Sequence, residues 1–419
     1  MNRLLPALVG LFGLVSAVLG QTAAESAKST SVADSLAKAL DKYFSLSAPA
    51  RVNFSFPPAL EEVVVKDEAA TRRAVWKAVQ RAAKGTQLQK DFAKQQVHNG
   101  KLRSPYTIKK VGKRPAGGWP LFIAMHGGGG VPKRINDSQW NHMQIYYRDQ
   151  KSVEGYKYLA LRAPTDQWNG FYTGYIYPLV ANLVRQFLLL GDVDPDRVFV
   201  MGYSHGGYGA FAIGPTLPDR FAAVHASAAA PTGGETQIRN LRNTIFTYMV
   251  GERDTAYGRA SRCQAFARQV KSLRGDRRDI YPVTFEFMAG YGHGGLPDRD
   301  KIRSMYPAVR NPAPKDLTWD LGGGHIRDHF WLHVPAKGSN QSVAARIDGN
   351  TIYLEATGVE MVELVVDRRH LDLHKTVEIK IGDKTTGVVL RPSLRALCET
   401  MLRRGDPRLA GTVSHPVVF

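Results

Sequence analysis

The fold is decided by residues 198–211, which read VFVMGYSHGGYGAF. The apolar run 198–203 predicts a buried strand, and a helical stretch begins directly after the Gly-x-Ser-x-Gly pattern of residues 202–206. The two outer glycines suit a turn so tight that side chains beside the serine would collide. Such a strand–turn–helix presents the serine hydroxyl at the edge of a sheet, which makes Ser204 a candidate nucleophile.

On both sides of this stretch, between Trp119 and Pro307, short apolar runs alternate with amphipathic segments. This alternation predicts an α/β region with a mostly parallel sheet that helices cover on both faces. The predicted strands are 121–125, 158–162, 198–203, 222–227, 244–250 and 284–288, and the predicted helices are 176–190, 206–214 and 259–273.

The order of the polar residues after Ser204 is informative. Asp254 comes just past the run 244–250, and His293 follows on the glycine-rich segment 290–294. A nucleophilic serine on such a sheet needs a carboxylate and then a histidine, in this order along the chain. His293 is therefore the candidate base and Asp254 the residue that orients it. Two alternatives stay open. One is a surface role for Asp254, and the other is His325, rather than His293, as the base.

A glycine run, Gly127 to Gly130, follows His126 at the end of the first apolar strand. The backbone N–H groups of Gly127, Gly128 and His205 are candidate donors to a developing oxyanion. A phosphate-binding loop is disfavoured because no Lys-Ser/Thr pair follows the glycines.

Aromatic residues follow the run that ends at Arg162. Trp168, Phe171 and Tyr172 lie where a parallel sheet builds its sites, and Tyr203 precedes the serine. We predict that these four side chains line a substrate pocket, with ordinary core packing as the alternative.

These residues resemble the alpha/beta-hydrolase superfamily, and within it the bacterial secreted esterases and peptidases related to polyhydroxybutyrate depolymerases and prolyl oligopeptidases. Residues 194–198 (DPDRV) and 218–224 (PDRFAAV) fit that group as well, and the similarity covers about 117–307. The resemblance implies Ser204, Asp254 and His293 as a triad, with Gly127, Gly128 and His205 at the oxyanion. His205 stands where the group usually has Met.

Beyond this region the sequence predicts three further parts. Arg3 and an apolar run predict a signal peptide over 1–20, and a helical or loosely ordered segment is predicted over 21–115. A catalytic domain over 116–312 and a β-rich C-terminal domain over 315–419 complete the expected organisation. Trp319 and Trp331 are carbohydrate-binding candidates in the last domain if they are exposed.

Composition limits the partners. The chain of 419 residues has 56 Lys and Arg against 37 Asp and Glu, a net charge of +19, which is compatible with contact to a polyanion or with solubility alone. The basic residues form no run, so no nucleic-acid module is indicated. Cys263 and Cys398 are either one disulfide or two buried thiols.

Two patterns resemble metal ligands: Asp192, Asp194 and Asp196, and His325, His329 and His333. Pro195 and the strand-like residues around the histidines favour structural roles, so neither a metal nor an organic cofactor is expected.

The sequence therefore predicts a secreted or periplasmic serine hydrolase that cleaves esters of small molecules or polymers. A serine peptidase and a non-catalytic polymer-binding protein are the alternatives.

Overall fold

The structure, a computed structural model, describes residues 32–147, 149–336 and 338–419. The predicted signal peptide over 1–20 lies outside the described residues. The chain divides into two compact units, of which the first ends at Ala82 and the second runs from Ala83 to Phe419.

The described part of the first unit is helical. Leu36, Leu40 and Tyr43 recur at helical spacing in α1 and are buried, as the period of an amphipathic helix requires. The ring of Tyr43 packs 5.5 Å from that of Phe54 and 5.3 Å from that of Phe56. The helices are α1 (32–45), α2 (Ala48–Val52), α3 (Pro58–Lys66) and α4 (Glu68–Ala82).

The second unit contains an eight-stranded sheet. Its strands are β1 (Gln96–Asn99), β2 (Leu102–Gly112), β3 (Trp119–Met125), β4 (Gly155–Leu161), β5 (Val193–Tyr203), β6 (Ala223–Ser227), β7 (Ile245–Gly251) and β8 (Val283–Met288). They lie in the order β1-β2-β4-β3-β5-β6-β7-β8. β2 is antiparallel to both of its neighbours, and all pairs from β4 to β8 are parallel.

Helices lie before, between and after these strands along the chain. They are α5 (Gln87–Ala93), α6 (Lys133–Tyr146), α7 (Ile176–Leu190), α8 (His205–Thr216), α9 (Arg259–Arg274) and α10 (Lys301–Met305). β3 and β4 are buried along their whole length, as expected for parallel strands covered on both faces. The rings of Phe122 and Phe199 stack 4.2 Å apart in this core. The predicted α/β architecture with a mostly parallel sheet is confirmed.

The structure differs from the sequence prediction at β1 and β2. These strands form an antiparallel hairpin inside the segment 21–115, which was predicted to be helical or loosely ordered. Ser104 and Tyr106 are the only fully buried residues of β2, so its sequence lacks the continuous apolar run of the inner strands. Its pairing with β1 on one side and β4 on the other, rather than its own hydrophobicity, accounts for its strand conformation.

The C-terminal region of the second unit folds into two small sheets and one helix. Side chains of both sheets form one apolar core, in which Trp319 and Trp331 are 2% and 1% exposed. The carbohydrate-binding role suggested for these two residues is wrong, because neither ring reaches the surface. The strands are β9 (Asp316–Asp320), β10 (Asp328–His329), β11 (Leu332–His333), β12 (Ser342–Asp348), β13 (Thr351–Thr357), β14 (Met361–Val366), β15 (Val377–Ile381), β16 (Lys384–Val388) and β17 (Val413–Val418), and the helix is α11 (Leu394–Arg404).

Buried ion pairs join this β-rich region to the eight-stranded sheet. Arg310, only 2% exposed at its side chain, contacts Asp196 at 2.9 Å and Asp406 at 2.8 Å. Arg404 of α11 pairs with Asp219, which follows α8. Asp196 and Asp219 belong to the two segments that carry the family resemblance, and here their carboxylates hold the two parts together.

The remaining sequence patterns have structural roles. Asp192 pairs with Arg114, so two of the three alternating aspartates bind arginines. Cys263 and Cys398 are separate, buried thiols. In the described ranges no three His, Cys, Asp or Glu side chains lie close enough together to hold a metal ion. No helix in the part of the chain that the structure describes is long and apolar enough to cross a membrane.

Candidate active site

The turn between β5 and α8 puts Ser204 in a rare backbone conformation, with φ of 53° and ψ of −113°. Gly202 and Gly206 make the turn possible. A Cβ on Gly202 would lie 2.1 Å from the carbonyl oxygen of Gly206, and one on Gly206 would lie 2.2 Å from that of Met125. The Ser204 N–H donates to the Ser227 carbonyl at 2.9 Å, which anchors the strained residue to β6.

Three side chains from three loops meet at this turn. The Ser204 Oγ lies 3.0 Å from His293 Nε2, and His293 Nδ1 lies 2.9 Å from Asp254 Oδ2. The Tyr203 hydroxyl donates to the His293 carbonyl at 2.6 Å and holds the histidine loop against β5. The structure thus brings together the serine, histidine and aspartate that the sequence singled out.

Asp254 has a further partner that no sequence pattern predicts. Arg259 Nε donates to Asp254 Oδ1 at 2.8 Å, and Arg259 Nη2 lies 2.6 Å from the same oxygen. Burial by itself would raise the pKa of Asp254, but hydrogen bonds from His293 and Arg259 outweigh burial and lower it. The carboxylate is therefore ionised at neutral pH. The only sequence signal for Arg259 is its position at the start of the predicted helix 259–273.

Hydrogen bonds of His126 and Asn136 hold the glycine loop that begins at His126. The Ala163 N–H donates to His126 Nε2 at 3.1 Å, so Nδ1 carries the proton and donates to the Gly127 carbonyl at 2.5 Å. Burial lowers the pKa of His126 to about 3, which keeps the ring neutral. The N–H of Gly129 donates to Asn136 Oδ1 at 2.8 Å.

The backbone amides of this loop fall into two groups. Those of Gly129 and Gly130 donate within the protein, the latter to the Asp166 carbonyl at 3.0 Å. Those of Gly127, Gly128 and His205 make no hydrogen bond within residues 32–147, 149–336 and 338–419. A Cβ on Gly127 would lie 3.7 Å from the Ser204 Cβ. Free N–H groups therefore occur beside the serine.

The four aromatic residues predicted to line a pocket differ in their exposure. Trp168 is 43% exposed, whereas Phe171 is fully buried against the rings of His126 and His205. Tyr172 is 9% exposed, and Tyr203 binds the histidine loop. Trp168 is thus the most exposed of the four residues.

The other histidines lie elsewhere. The His325 ring lies against Gly174 and 6.2 Å from the Tyr177 ring, whereas His293 is the histidine within hydrogen-bonding distance of Ser204. His329 is buried and stacked 5.4 Å from Trp319, and His333 pairs with Asp328 at 3.1 Å. These three histidines do not converge on one point.

No family model matches the sequence, and no curated protein matches it. Solved structures do show similarity. A thermostable esterase is 18% identical over 50% of this chain and 60% of its own, with a TM-score of 0.40. An acetyl xylan esterase from Aspergillus awamori is 15% identical over 49% of this chain and 94% of its own, with a TM-score of 0.37. A poly(3-hydroxybutyrate) depolymerase from Bordetella parapertussis is 19% identical over 49% and 84%, with a TM-score of 0.35.

The topology of the second unit identifies its fold. Eight strands lie in the order β1-β2-β4-β3-β5-β6-β7-β8, with β2 alone reversed, and the strained serine turn joins the central strand β5 to α8. A glycine loop follows β3, and the aspartate and histidine follow β7 and β8. The chain therefore has the alpha/beta-hydrolase fold, with a helical N-terminal segment and a small β-rich C-terminal region.

Proposed function

We propose that this protein is a serine hydrolase that cleaves carboxylic esters through an acyl-enzyme intermediate. Ser204 is the nucleophile, His293 the general base and acid, and Asp254 the residue that orients His293. The observation that carries the proposal is the unbroken hydrogen-bond chain from Ser204 Oγ through His293 to Asp254, with distances of 3.0 and 2.9 Å.

The first half-reaction acylates the serine. The Ser204 Oγ attacks the ester carbonyl carbon while its proton passes to His293 Nε2, and a tetrahedral intermediate forms. The intermediate collapses by breaking the bond between that carbon and the alcohol oxygen. The alcohol leaves with the proton that His293 Nε2 returns, and the acyl group remains on Ser204.

The second half-reaction repeats these steps with water. His293 Nε2 removes a proton from a water molecule, whose oxygen attacks the acyl carbon. When the second tetrahedral intermediate collapses, the carboxylic acid is released and Ser204 Oγ regains its proton from His293. One set of side chains thus serves both steps and returns to its starting state.

The protein stabilises both charges that form during the reaction, the imidazolium on His293 and the oxyanion on the substrate. Asp254 stabilises the imidazolium that forms on His293, and Arg259 keeps that carboxylate ionised and fixed. The oxyanion accepts hydrogen bonds from the free N–H groups of His205 and of Gly127 or Gly128. Because these donors are backbone groups, they need no reorganisation during the reaction.

The experiment is to label the protein with a fluorophosphonate and to map the modified residue, with p-nitrophenyl acetate and a peptide amide as parallel substrates. We expect labelling at Ser204 and turnover of the ester. Ser204→Ala should abolish both, whereas Ser304→Ala should change neither, since the hydroxyl of that exposed serine donates to the Lys301 carbonyl at 3.1 Å.

The alternatives give different results. Efficient cleavage of the amide would assign a peptidase, and a folded protein that neither reacts nor turns over the ester would point to a binding protein. His293→Ala should inactivate and His325→Ala should not. The reverse result would move the base to His325 and overturn the assignment of the relay.

We also propose that the protein is secreted after removal of residues 1–20, on the strength of the apolar run that follows Arg3. Mass spectrometry of the exported protein should show an N-terminus at Gln21. Retention of the intact N-terminus on an exported protein would contradict cleavage at this position.

A further inference from the structure

Two exposed aromatic side chains lie side by side at the carboxyl edge of the sheet. Trp168, in the loop after β4, is 43% exposed, and Tyr257, in the loop after β7, is 68% exposed. Their ring centroids are 5.4 Å apart and their planes are inclined by 38°. Trp168 is one of the pocket residues predicted from the sequence, whereas Tyr257, distant from it along the chain, is not.

This pair is tied to the candidate active site through both of its members. A Cβ on Gly130 would lie 3.5 Å from the Trp168 Cβ, and the Trp168 ring stacks 6.3 Å from the ring of His205, the residue after Ser204. On the other side, the guanidinium of Arg259, which binds Asp254, lies 5.3 Å from the Tyr257 ring. The pair therefore stands between the glycine loop and the aspartate.

The backbone at Tyr257 is in the left-handed region, with φ of 55° and ψ of 19°. This conformation is uncommon for a bulky residue and costs free energy. The Tyr257 ring remains mostly in water, so folding recovers little of that cost through burial of the ring. An exposed ring in a strained turn beside reactive groups is typical of a residue that contacts a ligand.

We propose that Trp168 and Tyr257 form a subsite that binds a flat aryl ring of the substrate, carried by its acyl or its alcohol part. This inference rests on the proposed ester hydrolysis and names the substrate class. Aromatic rings attract one another in offset or inclined arrangements at centroid distances of about 4.5–7 Å, and the solvent-exposed sides of these two contacting rings together offer an aromatic surface to a third ring.

The charge near the pair favours an aryl ring over a sugar. The cation of the buried Arg259 lies against Tyr257 and draws on the electron density of its π-system. An electron-poor face stacks well on an electron-rich aryl ring, whereas the C–H groups of a sugar prefer an electron-rich face. Trp168, whose ring carries no such neighbour among its described contacts, supplies the second apolar surface.

The test compares esters that differ only in aromaticity. The first arm compares ethyl 3-phenylpropanoate with ethyl 3-cyclohexylpropanoate, which carry the ring in the acyl part. The second arm compares benzyl acetate with cyclohexylmethyl acetate, which carry it in the alcohol part. We expect kcat/KM to favour the aryl ester in one arm. Trp168→Ala and Tyr257→Ala should each reduce that aryl preference about tenfold, while Tyr257→Phe keeps it.

The matched control is Phe419→Ala, which removes an aromatic side chain that is 38% exposed at the C-terminus. It should leave every ratio unchanged. Equal losses for the aryl and cyclohexyl esters, or no loss, would overturn the subsite, while labelling of Ser204 and turnover of p-nitrophenyl acetate would leave the proposed function standing. An acetylated sugar whose turnover depends on both rings would also overturn the aryl assignment.

Binding measured without turnover separates the two proposals completely. In the Ser204→Ala background, calorimetric titration with the preferred aryl ester should give a Kd that rises about tenfold when Trp168 or Tyr257 is also replaced by Ala. An unchanged Kd would overturn the subsite whether or not the wild-type protein hydrolyses esters.

Discussion

The carboxyl edge of the large sheet and the contact between that sheet and the β-rich region use charged groups in opposite ways. At the edge, Asp254 is buried and paired, but the chain of contacts that starts there ends at a partly exposed Ser204 Oγ. At the contact, Arg310 lies between Asp196 and Asp406, and all three side chains are buried.

The difference shows what each network can do. A closed network of buried charges is satisfied within the protein and serves to hold two elements in one arrangement. An open network ends in exposed groups that can still form bonds, here the Ser204 hydroxyl and the free N–H groups near it. A substrate can bind to these groups. We therefore expect changes at the edge to reduce turnover and changes at the contact to reduce stability.

The largest effect is expected from Asp254→Asn. The amide would donate to His293 Nδ1 or lose the bond, so the imidazole would be held in the wrong tautomer and its cation would lose its counter-charge. We expect kcat for the ester to fall about 10⁴-fold, measured by steady-state kinetics. Asp300→Asn, which changes an exposed carboxylate paired with Arg303, is the control and should leave kcat unchanged.

Asp254→Asn also leaves the guanidinium of Arg259 without its carboxylate, so its melting temperature must be measured as well. A fall in melting temperature with normal kcat would show that Asp254 is part of a closed, structural network like that of Arg310.

The next largest effect is expected from Arg310→Met. It leaves the buried carboxylates of Asp196 and Asp406 without their shared cation, which should lower the free energy of unfolding by about 3–5 kcal/mol. Urea titration measures this, and kcat of the folded fraction should not change. The control Arg303→Met removes an exposed pair and should have little effect. Loss of kcat in Arg310→Met at full stability would contradict the division between the two networks.

A smaller effect is expected from pH. Burial lowers the pKa of His126 to about 3 and those of His205 and His329 to about 4, against about 6.5 in the unfolded chain. Each ring is neutral in the folded state, so its contribution is fully present above pH 6.5 and is lost as pH falls towards 4. The slope is about 1.4 kcal/mol per pH unit for each ring.

His329→Gln should make the decrease in unfolding free energy between pH 6 and pH 5 shallower by about that amount, as measured by urea titration at each pH. Identical slopes in His329→Gln and the wild type would show that His329 does not resist protonation in the folded state.

The smallest effect is expected from Asp192→Asn. Its ion pair with Arg114 is about half exposed on both sides, and such pairs contribute little because water screens them. We expect a melting temperature within about 2 °C of wild type. A large decrease in melting temperature would show that Asp192 belongs to the closed network of Asp196. That result would contradict the assignment of Asp192 to a separate surface ion pair.

Local patterns predicted most of the fold. The continuous apolar runs of β3 and β7 and the amphipathic pattern of α7 place these elements close to their observed bounds, whereas β5 begins at Val193, ahead of the predicted start at Val198. No local pattern predicts the hairpin of β1 and β2, because strands with so few fully buried residues lack such a run. The triad stays a prediction, although Ser204 and Asp254 each lie within hydrogen-bonding distance of His293.

By itself, the sequence determined the strained serine turn, because only glycines at positions 202 and 206 fit against backbone atoms that lie so close. It also determined the order in which serine, aspartate and histidine reach one sheet edge, since parallel strands all end there. Tertiary structure alone decided that Arg259 binds Asp254, that Tyr257 meets Trp168 and that Trp319 and Trp331 are buried. The reason is that contacts between separate loops and layers depend on how the elements pack, and no local pattern of residues records that packing.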